Sequence, residues 1–251
     1  MNQPVLVDRI DQVATLTLNR PERHNSLTPA FLEQILAALV DVRSQPETRA
    51  LILQANGRSF STGGDVRRFY EHLEDLRAYA GATVALLNQV ILELMESPFP
   101  VIAAVHGMVT GGSIGFVLAS DILLVTPQAS FAPYYSVVGY SPDGGWTALM
   151  PAIIGIKRTA EVLMHNRTIT AQQALAWGLA NQIVPAESLF EASLKSAQEL
   201  AQKYPGSLFR TKALLRQRLG EIESGLQAEK EQFLQQITTA EAKRGMEAFL
   251  S

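Results

Sequence analysis

The stretch of residues 101–121, VIAAVHGMVTGGSIGFVLASD, constrains the fold most, because it joins a strand, two glycine breaks and a helix. Its first five residues are apolar, which is long enough for a buried strand. Gly111 and Gly112 form the second break. From Ser113 the apolar residues recur at helical spacing, which predicts a helix that ends near Ala119.

Paired glycines at a helix start allow a ligand close to the backbone and direct unpaired N–H groups toward it. A lone Gly-Gly pair most often only makes a turn. A second junction of the same kind, however, lies in residues 49–69, where a strand precedes Gly63 and Gly64. One N–H group from each junction, from Gly64 and Gly112, could together form an oxyanion hole. Neither segment has the spacing of a P-loop or of a dinucleotide-binding loop.

Several segments in the same order resemble the crotonase, or enoyl-CoA hydratase/isomerase, superfamily. The two signature segments are FSTGGD (residues 60–65) and AAVHGMVTGGSIGFVLASD (residues 103–121). Further matches are LNRPERHNSLT (residues 18–28), FAPYYSVVGYSPDGGWTALMP (131–151) and ITAQQALAWGLANQIVP (169–185). Within the superfamily the chain is most similar to the branch of isomerases and dehalogenases that carries a catalytic aspartate. This scaffold supports several reactions, so the reaction needs its own argument.

The resemblance implies an α/β fold, a spiral of ββα turns followed by a helical C-terminal region that mediates trimerisation. We therefore expect a core with an acyl-CoA site in residues 1–186 and a helical region in residues 187–251. The expected assembly is a homotrimer or a dimer of trimers. Strands that alternate with helices up to about residue 185, followed by helices alone, fit this division.

The predicted elements carry specific boundaries. Polar residues 8–12 indicate a turn between the first two strands. The predicted helix over residues 66–96 has a break at Gly81, and the C-terminal helices have breaks near Pro205, Gly220 and Gly245. A further helix is expected directly after the SPDGG turn of residues 141–145.

Composition limits the function classes. A formal net charge of −3 argues against a nucleic-acid surface or binding to an anionic membrane. The chain has no cysteine, and its four histidines show no metal-ligand spacing, so we expect no disulfide and no metal site. The N-terminus has no signal-peptide pattern, and no apolar run reaches the length of a membrane span. We expect a cytoplasmic enzyme without a separate cofactor, because CoA is part of the substrate.

Asp143, in SPDGGW, is the candidate catalytic base. From its spacing alone it is better interpreted as the cap of a following helix. The resemblance favours the functional role, because the matching aspartate is the base in isomerases of the family and the nucleophile in its dehalogenases. Tyrosines and Trp146 around the carboxylate would raise its pKa, which suits proton transfer.

Two missing carboxylates favour an isomerase. In the family's hydratases, one catalytic glutamate matches Gly115 here and the other matches Tyr135. Hydration needs one group to activate water and another to deliver a proton, whereas a double-bond shift needs a single base. A dehalogenase is less favoured, since the histidine and tryptophan of that branch match Asn88 and Tyr135. The alternatives are a hydratase, a hydrolase or dehalogenase-like enzyme, and a non-catalytic protein that binds acyl-CoA.

The resemblance also implies contacts with the substrate. Arg23 and His24 lie in a loop that runs beside the CoA phosphates in relatives, although a solvated loop is the alternative. Lys212 and Phe233 lie on helices that can touch CoA in relatives. The remaining residues assigned to substrate binding are Thr62, Gly63, Asp65 (also a candidate helix cap), Gly111, Tyr135, Tyr140 and Trp146.

Overall fold

The computed structural model describes residues 3–216 and 219–251, in which helices pack around two β-sheets. The strands are β1 (Val5–Ile10), β2 (Val13–Leu18), β3 (Ala50–Ala55), β4 (Ser59–Ser61), β5 (Val101–Val105), β6 (Met108–Thr110), β7 (Ile122–Val125), β8 (Ser130–Ala132), β9 (Ile169–Thr170) and β10 (Gln182–Ile183). The helices are α1 (Pro29–Ser44), α2 (Val66–Glu71), α3 (Leu76–Glu96), α4 (Ile114–Ala119), α5 (Tyr135–Val138), α6 (Met150–Ile154), α7 (Ile156–Met164), α8 (Ala171–Ala176), α9 (Leu189–Ala201), α10 (Pro205–Leu215), α11 (Leu219–Gln236) and α12 (Ala240–Leu250).

The strand order shows a spiral. The larger sheet has the order β1-β2-β3-β5-β7-β10, and the smaller one β4-β6-β8-β9. Each turn of the chain adds one strand to each sheet and then a helix, so β3, β5 and β7 pair in parallel, as do β4, β6 and β8. The predicted spiral of ββα turns is therefore confirmed.

The larger sheet is covered on both faces, which is typical of parallel strands. All six residues of β2 are buried. One face packs against α1 and α3, while Val13, Ile52 and Ile102 on the other face lie in a cluster with Leu189 of α9. This double cover explains why β3, β5 and β7 appear in the sequence as short apolar runs.

Helix α3 is continuous, and the break predicted at Gly81 is wrong. The break lies at residues 72–75 instead, between α2 and α3. By length and composition alone, α3 is long and apolar enough to cross a membrane, but core helices of soluble proteins pass this test as well. Its buried stripe, which includes Leu87, Val90 and Ile91, lies in the main core.

Other boundaries also differ from the prediction. Strand β1 extends to Ile10, so the first turn is shorter than residues 8–12. Gly245 lies inside α12, and the break falls before it, where the Thr239 side chain accepts a hydrogen bond from the Ala242 N–H group. Gly220 is in the first turn of α11. The predicted division between residues 186 and 187 stays a prediction. Helix α11 packs on α3, and α12 packs on α2 and α5.

Candidate active site

The two glycine junctions lie side by side because the strands before them pair. Strands β4 and β6 are parallel neighbours, and each leads into a glycine pair. A Cβ atom added to Gly63 would lie 2.5 Å from the carbonyl oxygen of Thr110. Gly63 also has φ of +71°, so both the close approach and the backbone conformation require glycine.

Both predicted oxyanion donors line one cavity. A parallel bridge joins Leu27 to Gly64 through the N–H groups of Leu27 and Asp65, which leaves the N–H group of Gly64 outside the bridge. Gly112 lies in the short 3₁₀ turn 111–113, and the first N–H groups of a helix have no partner within it. Gly64 and Gly112 both line the same cavity.

The Asp143 carboxylate lies against Gly112. A Cβ atom added to Gly112 would be 2.8 Å from Asp143 Oδ1. Only 7% of Asp143 is exposed, and its Oδ1 accepts a hydrogen bond of 2.5 Å from the Tyr135 hydroxyl. The proposed base and one proposed oxyanion donor are thus direct neighbours.

Asp143 does not cap a helix. Turns occupy residues 144–149, and α6 begins only at Met150, so the helix expected directly after SPDGG is absent. The backbone N–H groups of Gly145, Thr147 and Ala148 in this turn instead donate to the carboxylate of Glu229. The Asp143 carboxylate is therefore free of the capping role that its spacing favours.

The environment raises the pKa of Asp143 to about 7, mainly because burial disfavours the charged form. The hydrogen bond from Tyr135 lowers this pKa, and the negative charge of Glu229 raises it. Burial and the neighbouring Asp143 charge hold the pKa of the Tyr135 hydroxyl well above its ordinary value. Tyr135 is therefore a hydrogen-bond donor to the Asp143 carboxylate, and Asp143 can exchange a proton near neutral pH.

The cavity has a volume of about 230 Å³ and a mostly apolar wall. Asp143 is the only carboxylate among its lining residues that the structure describes. The Tyr140 hydroxyl is buried and has no hydrogen-bond partner among the described residues. The other lining residues are Leu27, Thr62, Gly64, Val66, Phe69, Thr83, Leu87, Met108, Thr110, Gly111, Gly112, Pro133, Tyr134, Tyr135, Val138, Tyr140, Phe233 and Phe249.

Position 115, which matches a hydratase glutamate, has no room for a side chain. A Cβ atom added to Gly115 would overlap the Ile91 side chain and lie 2.8 Å from the carbonyl oxygen of Gly144. The structure therefore has no space for the hydratase glutamate that the sequence lacks at position 115.

Some residues assigned to substrate binding support the site from outside the cavity. Trp146 is fully buried, and its Nε1–H group donates to the carbonyl oxygen of Gly111 at 3.0 Å, which holds the second glycine loop. The Nδ1 atom of His24 lies 3.1 Å from Ser59 Oγ, and His24 does not line the cavity. Lys212 is buried and binds Asp121 and the end of α3, so its ammonium group has no access to the cavity.

A second cleft of about 610 Å³ contains Arg23 and has more basic than acidic side chains along its wall. It is lined by Arg20, Arg23, Arg67 and Arg68 together with Asp65 and Glu71. Asp65 caps α2 as predicted, since its side chain accepts a hydrogen bond from the Arg68 N–H group. This cleft suits a phosphate group better than an acyl chain. Among the described residues, no group of three or more His, Asp or Glu side chains could hold a metal ion.

Glu229 is not among the site residues predicted from the sequence. The sequence feature that could have identified it is a charged residue on the buried stripe of α11, between Leu226 and Phe233. Charged residues are almost never fully buried unless they are paired, so a glutamate on an apolar stripe indicates a specific partner. Only the fold shows that this partner is the turn after Asp143.

The sequence comparisons agree on a family. The profile of the enoyl-CoA hydratase/isomerase family matches residues 8–251. The chain is 30% identical over 245 residues to a 1,2-epoxyphenylacetyl-CoA isomerase of Escherichia coli, covering 95% of this chain and 92% of that protein. It is 33% identical over 204 residues to a putative enoyl-CoA hydratase of Thermus thermophilus, covering 81% and 80%. It is 30% identical over 180 residues to a 4-chlorobenzoyl coenzyme A dehalogenase of an Arthrobacter species, covering 71% of this chain and 65% of that protein.

Solved structures have the same fold. An enoyl-CoA hydratase from Bacillus halodurans superposes with a TM-score of 0.92 at 25% identity, covering 98% of this chain and all of the other. A putative enoyl-CoA hydratase/isomerase from Acinetobacter baumannii superposes with a TM-score of 0.89 at 26% identity, covering 99% of each chain. Relatives named as isomerases, hydratases and dehalogenases all match, so these names do not select one reaction.

Proposed function

The chain belongs to the enoyl-CoA hydratase/isomerase family, and from this premise we propose that it is an acyl-CoA isomerase. The reaction is the shift of a carbon–carbon double bond through a thioester enolate. The thioester oxygen accepts hydrogen bonds from the N–H groups of Gly64 and Gly112, and Asp143 moves the proton.

The proton balance needs one base. The Asp143 carboxylate removes a proton from the carbon next to the thioester or from the γ carbon of the unsaturated acyl group. The electron pair of that C–H bond moves into the conjugated system, and negative charge develops on the thioester oxygen. The protonated Asp143 then returns the proton to the other carbon.

Loss of one oxyanion donor typically costs on the order of 100-fold or more in rate.

The observation that carries the proposal is the single carboxylate in the cavity, next to Gly112. Hydration needs a second acid or base, and Gly115 has no space for one. The raised pKa of Tyr135 disfavours ionisation, so this residue does not supply a second base. A pKa of about 7 for Asp143 suits a group that both takes and returns a proton near neutral pH.

The alternatives use the same cavity. Relatives named as hydratases are at least as common as relatives named as isomerases. In a dehalogenase-like enzyme Asp143 would be a nucleophile, but Asn88, which matches the histidine of that branch, donates a hydrogen bond to the Leu226 carbonyl oxygen. This bond ties Asn88 to α11 rather than to a reacting group. A non-catalytic acyl-CoA-binding protein would have no need for a carboxylate with a raised pKa beside Gly112.

The two cavities suggest how an acyl-CoA is held. The apolar cavity takes the acyl group, with the unpaired Tyr140 hydroxyl available to a polar atom. Arginines of the second cleft, Arg23 among them, take the CoA phosphates, whereas Arg68 is already paired with Glu71. No separate cofactor enters this mechanism.

The test is to incubate the protein with a panel of unsaturated acyl-CoA thioesters and to identify the products by chromatography and mass. Isomerisation leaves the mass unchanged, whereas hydration adds one water and hydrolysis releases free CoA. A product of unchanged mass and new retention time supports the proposal. Products that carry an added water, or free CoA, would replace it with one of the alternatives.

A further inference from the structure

Glu229 of α11 holds the turn that follows Asp143. Its Oε2 accepts a hydrogen bond of 2.8 Å from the Gly145 N–H group. Its Oε1 accepts three more, from the Thr147 N–H group at 2.6 Å, the Thr147 hydroxyl at 2.7 Å and the Ala148 N–H group at 3.0 Å. One carboxylate thus satisfies four donors of a turn that lies more than 80 residues away in the sequence.

We propose that Glu229 is a positioning residue for catalysis: it fixes the turn that carries Asp143 and places a negative charge, hydrogen-bonded but without a cationic partner, near that carboxylate. The inference rests on the proposed role of Asp143 as the base.

The hydrogen bonds of Glu229 account for its burial, but they do not require that the acceptor carry a charge. Only 5% of the residue is exposed, and a buried charge costs free energy unless it is paired or hydrogen-bonded. Four donors satisfy its oxygens, but no ion pair in residues 3–216 and 219–251 includes Glu229. A neutral acceptor could serve a turn as well, whereas an unpaired anion also acts on its titratable neighbours.

Asp143 is such a neighbour. Two other side chains shift the pKa of Asp143: the hydrogen bond from Tyr135 lowers it and the charge of Glu229 raises it, while a backbone hydrogen bond of Asp143 itself also lowers it. Burial accounts for most of the increase. The two side chains therefore act in opposite directions on the same carboxylate, one from α5 and one from α11.

Glu229 also connects the base to the C-terminal helices. Phe233, one turn further along α11, lines the acyl cavity, and Leu226, nearly one turn earlier, accepts a hydrogen bond from Asn88 of α3. Helix α11 therefore supplies both a wall of the cavity and the support of the base. A movement of α11 would displace both together.

The test compares Glu229→Gln with the wild-type enzyme, and Glu231→Gln serves as the control. Glu231 is exposed on the same helix, where it accepts a surface hydrogen bond from the Gln227 side chain. For Glu229→Gln we expect kcat to fall by at least tenfold and the acidic limb of the kcat/KM profile to move to lower pH. Glu231→Gln should change neither.

A second variant separates position from charge. Thr147→Val removes one donor to Glu229 and keeps its charge, so we expect a lower kcat with an unmoved acidic limb. If Glu229→Gln does not fold, Glu229→Asp replaces it, because it keeps the charge and withdraws the carboxylate from the turn. It should lower kcat without moving the acidic limb to lower pH.

A titration that needs no turnover distinguishes this inference from the proposed function. In protein labelled with ¹³C at aspartate carboxyl carbons, the resonance absent from Asp143→Asn reports Asp143, and it should titrate at lower pH in Glu229→Gln. An unmoved titration together with an unchanged kcat in folded Glu229→Gln would overturn the inference. If the pKa of Asp143 is lower in Glu229→Gln but the wild-type protein has no isomerase activity, the effect of the Glu229 charge on Asp143 stands. Only the proposed function is then overturned.

Discussion

The Tyr135 hydroxyl donates a hydrogen bond of 2.5 Å to Asp143 Oδ1, so the residue that replaces a hydratase glutamate directly contacts the proposed base. This bond favours the ionised carboxylate and opposes the effect of burial. Tyr135 therefore keeps part of the Asp143 population ready to accept a proton near neutral pH.

Tyr135→Phe should raise the pKa of Asp143 above its value of about 7, because the variant removes the hydrogen bond that lowers it. The acidic limb of the kcat/KM profile should then move to higher pH, opposite to the shift expected for Glu229→Gln. Tyr204→Phe, at a residue that is 86% exposed, is the control. A limb that stays in place or moves to lower pH in folded Tyr135→Phe would contradict this account of the site.

Gly144→Ala should abolish most turnover, with a loss of about 100-fold or more, since it moves Asp143 away from Gly112. An added Cβ atom would lie 2.5 Å from the Gly112 Cα atom, and Gly144 has φ of +66°. Gly155→Ala is a matched control, because Gly155 also has a positive φ, of +89°, but nothing lies within 4 Å of an added Cβ atom. Steady-state kinetics and circular dichroism of both variants check this. Equal activity in the two would mean that the contact with Gly112 does not position the base.

Asp143→Asn should stabilise the protein at high pH. The pKa of Asp143 is about 7 in the folded protein and about 3.9 in an unfolded chain, so the folded state binds its proton more tightly. Ionisation of this group therefore costs stability, and the cost grows as pH rises from about 4 through about 7. We expect Asp143→Asn to raise Tm by a few degrees at pH 8 and by less at pH 5. A Tm increase that is the same at both values, or a decrease at pH 8 alone, would contradict the raised pKa.

The pair of glycine junctions could be predicted because its signal is local, whereas the spiral of ββα turns is implied by the resemblance to the crotonase superfamily. The apolar runs that form β3 and β5 are predicted as strands, whereas the short strands β4 and β6, which lead directly into Gly63 and Gly111, carry no such pattern. The environment of Asp143 could not be predicted in the same way, because proline, aspartate and glycine spacing resembles a helix cap. The backbone N–H groups that such a cap would bind donate instead to Glu229 of α11, which is distant in the sequence. The two interpretations differ only in tertiary contacts, and a single sequence does not show those.

The helical boundaries illustrate the same limit. Gly81 lies in α3 because the surrounding apolar stripe packs against the core, and this burial outweighs the low helix propensity of one glycine. Trp146 is predicted beside the substrate, among the aromatic residues around Asp143. Its indole N–H group is used instead to hold the Gly111 carbonyl oxygen.

The C-terminal helices should mediate assembly, and we expect a homotrimer or a dimer of trimers. Phe233 and Ile237 are already buried within the chain, but Leu214 and Leu215 are 64% and 79% exposed. Adjacent exposed leucines at the end of a helix favour an interface. Light scattering at micromolar concentration should give three or six chains, and Leu214→Glu with Leu215→Glu should lower that number. A wild-type monomer would rule this assembly out.

The most direct test of the central claim is solvent-deuterium exchange into an unsaturated acyl-CoA, measured for wild-type protein and Asp143→Asn. Exchange at the α or γ carbon needs only the base and the oxyanion hole, so it reports proton abstraction even when no net product forms. The account predicts exchange with the wild-type protein, and a reduction of about two to four orders of magnitude in Asp143→Asn with acyl-CoA binding retained. Exchange that persists at the wild-type rate in well-folded Asp143→Asn would show that another group is the base.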